Sequence, residues 1–580
     1  MTLDHLKSSL KPGFYAGIVA LFISVIGMIE TFSNRDIIHG VFSISHTFLV
    51  IIALITGYFS ATRAQRAGIR QHGIDRRATI VNAIAGSLIA GFVMGLFLAV
   101  LVVVANLINL RPVFVNVTPA LIDLLTFGRP SLAGSIVPLS MFTIVSGLGG
   151  ALSLFRSDIR RLIVTSLLWF AFAGLTSEVI RLSLSRLGVN VARIFVTTRG
   201  LTPLGAAVML ALIFAIVYAS QRLRDRQRRQ PDQSSPARKR AVRFRSWGLI
   251  FVLLLVLPWV VGRVPSDVLV LVGIYVLMGF GLNIVVGKAG LLDLGYVAFF
   301  AVGAYSTAIL TSADQLPNIQ LSFWAALPFV IGITGLAGLL IGAPVLRMRG
   351  DYLAIVTLGF GEIARFLALS DWFSPVLGGA QGVVKIPNVV IAGIELADPE
   401  ELYYLIMFFC LITLFISWRL EGSRVGRAWV AMREDEQVAE SMGINTIYYK
   451  MLAFAMGAMI ASLGGAVFAV KLNTVFPFSF SVNVSITVLS LIIIGGIGSI
   501  PGVLVGAFAL VGLPELLREF DEYRLLLYGV AIIYMMIVRP EGLLPSVRRG
   551  RELHEDEMAQ DAWGKPAEVI PVPANPELSG

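Results

Sequence analysis

The chain has 580 residues, of which 56% are hydrophobic and only 14% are charged. Soluble domains carry about 25% charged residues, so this composition excludes a water-soluble globular protein. It also excludes a disordered chain, because disorder requires low hydrophobicity. The one cysteine, Cys410, excludes a disulfide framework, and no histidine lies between Trp247 and Gly550. We therefore expect neither metal chemistry nor a cofactor.

Apolar runs in the first part of the chain predict membrane-spanning helices, since a helix needs about 20 mostly apolar residues to cross the hydrocarbon core. Six such runs precede residue 221: Phe14–Ile29, Ile37–Ser60, Ile80–Ala105, Ala133–Phe155, Leu162–Ile180 and Leu201–Ser220.

Ten more runs follow: Trp247–Gly262, Val268–Gly287, Leu294–Leu310, Phe323–Leu346, Tyr352–Ser370, Leu402–Trp418, Met451–Val470, Val484–Gly498, Ile500–Pro514 and Leu525–Val538. Val484–Gly498 and Ile500–Pro514 are either two short spans or the halves of a broken helix, which survive at membrane depth only when buried in protein. The sequence predicts an all-α polytopic integral membrane protein with about 16 transmembrane helices.

Charge divides the chain into four parts. Residues 221–245 contain ten Lys or Arg and two Asp, a net charge of +8, which is typical of a cytoplasmic linker held at anionic lipid. Aromatic residues are scarce there, so we expect no nucleic-acid binding. The linker separates a membrane region of six spans, 1–220, from a second region of about ten, 246–550. Residues 551–580 contain seven acidic residues and four prolines and are predicted to be disordered.

The basic residues also predict an orientation. With the N-terminus inside and the spans alternating, cytoplasmic segments contain 33 Lys or Arg residues and outer loops contain 12. The positive-inside rule favours this arrangement, with both termini in the cytoplasm. The loop Arg181–Gly200 disagrees, because it places four Arg residues outside.

Charged residues inside predicted spans need an explanation, because a bilayer makes them costly. Glu362 and Arg365 lie three residues apart, and Glu178 and Arg181 repeat this spacing near the end of another span. The spacing puts both side chains on one helix face. Each pair is either a neutralised structural pair or a polar contact near a substrate path.

Two further features are open to a structural or a functional interpretation. Lys288 and Asp293 flank a span boundary, where structural boundary charges are the favoured interpretation. Gly378–Gly382 lies in the longest loop of the second region and is either a surface turn or a loop that faces a substrate or partner. No Lys-Ser or Lys-Thr follows it, so it is not a phosphate-binding loop.

No Walker A motif, nucleophile elbow or His-Glu-x-x-His motif occurs in the sequence. We therefore expect no enzyme, and any ATP-driven step requires an ATPase on another chain. The segment Glu421–Lys450 lies between two spans and carries a partial helical stripe beside charged residues, with Gly443 as its predicted C-cap. It is either a docking element or an ordinary amphipathic loop helix.

Several stretches in order resemble the permease subunits of branched-chain amino acid (Leu/Ile/Val) ABC importers. They are GLNIVVG at 281–287, GLLDLGYVAFFAVGAY at 290–305, LRMRGDYLAIVTLGFGEI at 346–363, VGRAWVAMREDE at 425–436, GGIGS at 495–499 and RPEGLLP at 539–545. They cover about half the chain. The resemblance implies that residues Gly426–Gly443, here named the coupling segment, form a coupling helix on an ATPase. Only Gln437-Val438-Ala439 stands where many importers have Glu-Ala-Ala.

The resemblance also implies partners and sites. The partners are two ATP-binding subunits, a sister permease and a periplasmic or lipid-anchored solute-binding protein, in a bacterial inner membrane. The expected ATPase-coupling residues are Arg433, Glu434, Asp435, Glu436, Ser441 and Gly443. The expected substrate-path residues are Tyr352, Thr357, Gly359, Glu362, Asn283, Gly495, Gly496 and Gly498. The first 220 residues do not resemble a sister permease and are expected to be an accessory.

Two alternative functions remain compatible with the sequence. One alternative is the same architecture with another substrate, such as urea, a short amide or a sugar. The stretch GDYLAIVTLGFGE at 350–362 favours amino acids, but related permeases share much of it. A stand-alone ion-coupled carrier would bury coupling carboxylates at the midplane, for which Glu362 is the candidate in the second region.

Overall fold

The computed structural model describes residues 3–72, 76–129, 131–185, 188–229, 236–313, 320–345, 348 and 351–516, and near the C-terminus residues 526, 529, 533, 539 and 542–544. The chain divides into two compact units. Unit 1 comprises Met1–Leu254 and Glu519–Tyr523, and unit 2 comprises Leu255–Arg518 and Arg524–Gly580.

The described residues of unit 1 form helices and one short antiparallel hairpin. Its elements are α1 (Leu3–Val25), α2 (Met28–Thr31), β1 (Asp36–Ile38), β2 (Phe42–Ser43), α3 (Ile44–His72), α4 (Arg76–Leu107), α5 (Pro119–Thr126), α6 (Ser131–Gly134), α7 (Ile136–Leu154), α8 (Ser157–Leu175), α9 (Ser177–Ser185), α10 (Val189–Phe195) and α11 (Pro203–Arg229). Helix α12 (Pro236–Val261) spans the boundary between the units.

The core of unit 1 is a four-helix cluster. Helices α1, α3, α4 and α7 pack against one another, and Leu49, Met94 and Leu98 are fully buried between them. Glycines allow the backbones of these helices to approach closely: a Cβ at Gly57 would lie 1.9 Å from the Ser146 carbonyl oxygen, and one at Gly149 would lie 2.2 Å from the Leu54 carbonyl oxygen. Many other apolar side chains of the cluster are exposed, as expected of a surface that meets lipid.

Unit 2 is also helical, with one hairpin in its longest loop. Its elements are α13 (Arg263–Leu282), a π-helix (Asn283–Lys288), α14 (Val297–Thr311), α15 (Phe323–Val345), α16 (Asp351–Leu369), α17 (Ser374–Leu377), β3 (Val389–Ile391), β4 (Ile394–Leu396), α18 (Pro399–Glu421), α19 (Arg424–Glu434), α20 (Glu436–Ser441), α21 (Thr446–Leu472), α22 (Val482–Gly495), α23 (Ile500–Ala507), a second π-helix (Phe508–Gly512) and α24 (Leu513–Leu516).

Helix α21 lies at the centre of unit 2. It packs against α13, α14 and α15, and most of its residues are buried. The sequence terminates these helices locally. Asp398 and Glu401 form a capping box before α18, and Asn445 caps α21 by accepting the Tyr448 N–H. These caps fix the residues at which α18 and α21 begin, and so they position the site described below.

Ten described helices are long and apolar enough to cross a membrane. Four shorter apolar helices accompany them: Ser9–Val25, Phe251–Val261, Val297–Thr311 and Ile500–Leu516. Each predicted span overlaps one of these helices or the bent pair described next, except Leu525–Val538, which lies almost entirely outside the described residues. The protein is an all-α polytopic membrane protein, as predicted.

Three local features differ from the predictions. The span predicted from Ile37 begins at Ile44, because residues 36–43 form the β1–β2 hairpin. The span predicted over Leu162–Ile180 is two helices bent by 66°. The described residues within the basic segment 221–245 are helical, since α11 ends at Arg229 and α12 begins at Pro236. Residues 230–235 and the tail 551–580 lie outside the described part.

Candidate coupling and pathway site

The coupling segment forms two helices, so the expectation of a single coupling helix over Gly426–Gly443 was wrong. Asp435 has an extended backbone, with φ −154° and ψ 113°, between α19 and α20. Its carboxylate accepts two of the following backbone N–H groups at 2.8 and 3.0 Å. An aspartate in this position is an N-cap, so it starts a second helix. Gly443 has a φ of +86° and lies just beyond the end of α20, as predicted.

The first helix of the coupling segment is anchored to unit 2 by its largest side chain and by an arginine. Trp429 is fully buried, and its Nε1–H donates to the Tyr449 carbonyl oxygen at 2.8 Å. Arg433 reaches in the other direction, and its Nη1 donates to the Gly287 carbonyl oxygen at 2.5 Å. These two bonds join α19 to α21 and to the first π-helix.

The second helix is anchored by an ion pair. The Lys450 ammonium, whose side chain is 8% exposed, lies 2.5 Å from the Glu436 carboxylate, which is 27% exposed. A lysine is rarely buried without such a partner. Glu436 was predicted as part of a docking charge cluster, but the structure directs it toward α21.

The outer surface of the coupling segment is apolar with acidic residues beside it. Val438 is 56% exposed and Met442 is 78% exposed. Glu434, Glu440 and Ser441 are exposed next to them. Exposed apolar side chains with a polar border are typical of a protein–protein contact. The predicted coupling residues therefore divide into inward anchors and an outward surface.

Four of the predicted path residues lie beside the coupling segment. The first π-helix carries Asn283, whose Oδ1 accepts the Gly498 N–H at 2.9 Å. The same π-helix accepts the arginine bond described above. Gly495 is the last residue of α22, and Gly496 is its C-cap at the start of the turn that leads to Gly498. π-Helical turns occur frequently at functional sites. The structure places these residues next to the coupling segment, and their role in the substrate path stays a prediction.

Residues 542–544 of the C-terminal motif join the same cluster. The Leu543 N–H donates to the Ile494 carbonyl oxygen at 2.8 Å, and the Leu544 N–H donates to the Gly495 carbonyl oxygen at 2.9 Å. These bonds satisfy carbonyl groups that α22 leaves unpaired at its end. The motif contributed to the resemblance in the sequence, but its contact with α22 was not predicted.

Helix α16 presents the second group of predicted path residues on an exposed face. Tyr352 is 75% exposed, and no atom lies within 4 Å of the position that a Cβ would take at Gly359. Residues 352, 355, 359, 362 and 366 recur at helical spacing, so they form one stripe. Within the described part of the chain, Arg365 of the same helix serves two members of the stripe: it pairs with Glu362, and its guanidinium lies over the Phe366 ring at 5.1 Å from the centroid.

Both predicted ion pairs form. Arg365 Nη2 lies 2.6 Å from the Glu362 carboxylate, and Arg181 Nη2 lies 2.5 Å from that of Glu178. Each pair is partly exposed, and each arginine also donates its Nε–H to the same glutamate. Pairing lowers the cost of placing both charges in an apolar region.

Thr357 does not lie on the exposed stripe. Its hydroxyl accepts the Leu294 N–H at 3.0 Å and donates to the Ala354 carbonyl oxygen at 3.1 Å, and its side chain is buried. Five residues of helix correspond to a rotation of about 140°, which places Thr357 nearly opposite Tyr352. Thr357 therefore lies on a different face of α16 from Tyr352, and its place on the substrate path stays a prediction.

Lys288 and Asp293, predicted as boundary charges, have different surroundings. Lys288 Nζ lies 3.3 Å from the Glu421 carboxylate. Asp293 is fully buried between two spans, where its carboxylate accepts the Gly295 N–H at 2.9 Å. Burial raises the pKa of the Asp293 carboxyl to about 7, although the hydrogen bond from Gly295 acts in the opposite direction.

The glycine-rich loop at 378–382 is held against the segment after α21. Val383 and Val475 form an antiparallel bridge, with hydrogen bonds of 3.0 and 2.8 Å in the two directions. This packing agrees with the structural interpretation of the loop as a turn.

Comparison with known proteins gives a consistent result for unit 2. The profile of the family described as "Branched-chain amino acid transport system / permease component" matches residues 264–538. The high-affinity branched-chain amino acid transport system permease protein LivM of Escherichia coli is 40% identical over 327 residues, which cover 52% of this chain and 75% of that protein. LivH of Salmonella typhimurium is 25% identical, over 47% of this chain and 91% of that protein.

An archaeal relative extends the range of organisms. The probable branched-chain amino acid transport permease protein LivM of Methanocaldococcus jannaschii is 22% identical, over 48% of this chain and 93% of that protein. No solved structure matches the chain significantly. The extent of the identity to the Escherichia coli protein, together with the family profile, establishes that the chain belongs to the family of branched-chain amino acid transport permeases.

Proposed function

We propose that the chain is the permease subunit of a binding-protein-dependent ABC importer that translocates branched-chain or related amino acids. ATP hydrolysis then takes place on two separate ATP-binding subunits. A sister permease and a solute-binding protein complete the complex. The family membership and the names of the relatives support the substrate class.

One observation carries the proposal of a separate ATPase. The coupling segment is fixed to unit 2 by Trp429, Arg433 and Glu436, while Val438 and Met442 stay exposed. A segment that only connects two spans needs no such anchors and no apolar outer surface. A rigid element with an exposed apolar patch is suited to insertion into a groove of a partner.

We assign half of the substrate path to the exposed stripe of α16. Tyr352 and Glu362 would face the sister permease across the path, and Gly359 would leave space between them. A path between two subunits explains why this face is exposed in the described part of the chain. The second group, Asn283 with Gly495, Gly496 and Gly498, belongs instead to the coupling side of the protein.

The test is leucine uptake into vesicles that contain the complete complex, with Met442→Asp in the permease. A buried carboxylate in an apolar contact is costly. We therefore expect that the Met442→Asp permease no longer binds the ATP-binding subunits and that leucine uptake is lost. The matched control is Val113→Asp, which changes an equally exposed apolar residue of unit 1. Urea, a short amide and a sugar, each tested in place of leucine, distinguish the alternative substrates. Unchanged ATPase binding in the Met442 variant would contradict the docking assignment.

We propose the predicted division of the chain and its orientation as well. Residues 1–220 form an accessory region, and 246–550 form the permease, with both termini in the cytoplasm. A chain that starts near Arg243 should insert, assemble and transport. If it assembles and transports nothing, the first six spans belong to the path. A tag at Ser234 that reacts from the periplasmic side would overturn the orientation.

A further inference from the structure

One short stretch of unit 2 contacts the coupling segment at one end and α16, the helix that carries the exposed stripe, at the other. We name residues Gly287–Val297 the connector. At its start, the Gly287 carbonyl oxygen accepts the Arg433 bond. Gly290 has a φ of +73°, and a Cβ at this position would lie 2.8 Å from Arg433 Cγ. The connector therefore lies directly against the arginine, and only glycine fits there without strain.

The far end of the connector is bonded to α16. The Leu294 N–H donates to Thr357 Oγ1 at 3.0 Å. Gly295 lies so close to α16 that a Cβ there would come within 1.7 Å of the Thr357 carbonyl oxygen. The two backbones are therefore in close contact at this point, and any side chain at position 295 would collide with α16.

A third bond ties the connector to α22. The Val297 N–H donates to Ser485 Oγ at 2.9 Å. The connector is also held to the preceding π-helix, because the Leu291 N–H donates to the Val285 carbonyl oxygen at 3.0 Å. Within the connector, the Gly295 N–H donates to the Asp293 carboxylate at 2.9 Å. A short, buried and internally bonded stretch transmits displacement rather than absorbing it.

We propose that the connector transmits the position of Arg433 to α16, and that Thr357 is the positioning residue through which it acts. This inference rests on the proposed function, since it assumes a motion that begins at the coupling segment. Thr357 contacts no substrate in this arrangement. The Thr357 side chain lies on the face of α16 opposite the exposed stripe. Its bond to the connector therefore sets how far α16 is rotated about its axis and shifted along it, and so sets the position of the stripe.

The test measures the ratio of leucine molecules transported to ATP molecules hydrolysed by the reconstituted complex, and compares this ratio between variants and the wild type. Thr357→Val keeps the side-chain shape but removes the acceptor of the Leu294 N–H. We expect ATP hydrolysis to persist while leucine per ATP falls about fivefold or more, the lower end of the range for coupling between two sites. Thr357→Ser keeps the hydroxyl and should restore the ratio. The matched control is Thr334→Val, a buried threonine whose hydroxyl bonds only within its own helix.

A double variant tests whether the two ends act in series. Arg433→Gln should lower the ratio, and adding Thr357→Val should lower it no further than the larger single effect. Multiplied effects would mean two independent routes and would overturn the proposal. So would an unchanged ratio in Thr357→Val, or a proportional fall in hydrolysis and uptake, which a purely structural role produces.

Two further arms keep the inference separate from its premise. If Thr357→Val does not assemble, Gly290→Ala tests the other end by displacing the Arg433 side chain, and it should lower the same ratio. An unchanged ratio in an assembled Gly290 variant would also overturn the proposal. If the wild-type complex shows no leucine-dependent ATP hydrolysis, the proposed function fails and not the connector alone.

Discussion

The ion pair between Glu436 and Lys450 allows a quantitative prediction for Glu436→Gln. The substitution leaves the buried ammonium of Lys450 without its carboxylate. Loss of one partner costs about 3–5 kcal/mol in a fully buried pair and about 0–1 kcal/mol in an exposed one. Because Lys450 is 8% exposed and Glu436 is 27% exposed, we expect a local cost of about 2–3 kcal/mol.

The cost converts into a change that hydrogen exchange measures directly. At about 1.4 kcal/mol per factor of ten, the opening constant of α20 and the first turn of α21 should rise about 30- to 140-fold. Amide protection in these residues should fall by the same factor, because exchange reports local opening. Peptides from unit 1 provide an internal reference for the protein in detergent.

A control and a rescue make this prediction specific. Glu440→Gln makes the same chemical change one turn away, at an exposed side chain, and should leave protection unchanged. Adding Lys450→Met to Glu436→Gln removes the unpaired charge and should recover much of the lost protection. The reasoning is refuted if the two glutamine variants behave alike, or if the double variant is no better than Glu436→Gln.

Three further predictions concern packing, protonation and anchoring. Gly295→Ala should lower the melting temperature of the detergent-solubilised protein strongly, since the added methyl group would lie 1.7 Å from a backbone oxygen, whereas Gly332→Ala, which has open space, should be tolerated; similar melting curves would contradict this. Folding raises the pKa of the Asp293 carboxyl from 3.8 to about 7, so the free energy of unfolding should fall as pH rises from about 4 to 7, by up to about 4 kcal/mol. Asp293→Asn should remove this part of the pH dependence, and a variant with the wild-type pH profile would refute the assignment. Trp429→Phe removes the indole N–H that donates to the Tyr449 carbonyl oxygen and should cost about 0.5–1.5 kcal/mol, measured as faster amide exchange in α19; wild-type exchange rates would show that the bond contributes little.

The spans were predictable because each is a local property of about 20 apolar residues. The errors occur where a polar side chain has two possible roles. Asp435 belongs by composition to a charge cluster, yet its spacing to the next two N–H groups makes it a cap. Thr357 could have been separated from Tyr352 by helical rotation alone.

The grouping of the site could not be predicted from sequence spacing. Arg433 meets a carbonyl group 146 residues earlier in the chain, and Asn283 meets an N–H group 215 residues later. Such contacts depend on which helices neighbour α21, and helical periodicity does not specify the neighbours. Asp293 and Lys450 were missed as buried charges for the same reason.

The backbone bonds from Leu543 and Leu544 to the end of α22 have a consequence for biosynthesis. The chain is synthesised at about 5–20 residues per second, and domains form as it emerges. Helices α13 to α21 can therefore insert and pack before the C-terminal motif has been made. The turn beside the coupling segment is completed only when residue 544 has been made. A partner that recognises the finished turn would therefore bind complete chains and pass over nascent or prematurely terminated ones.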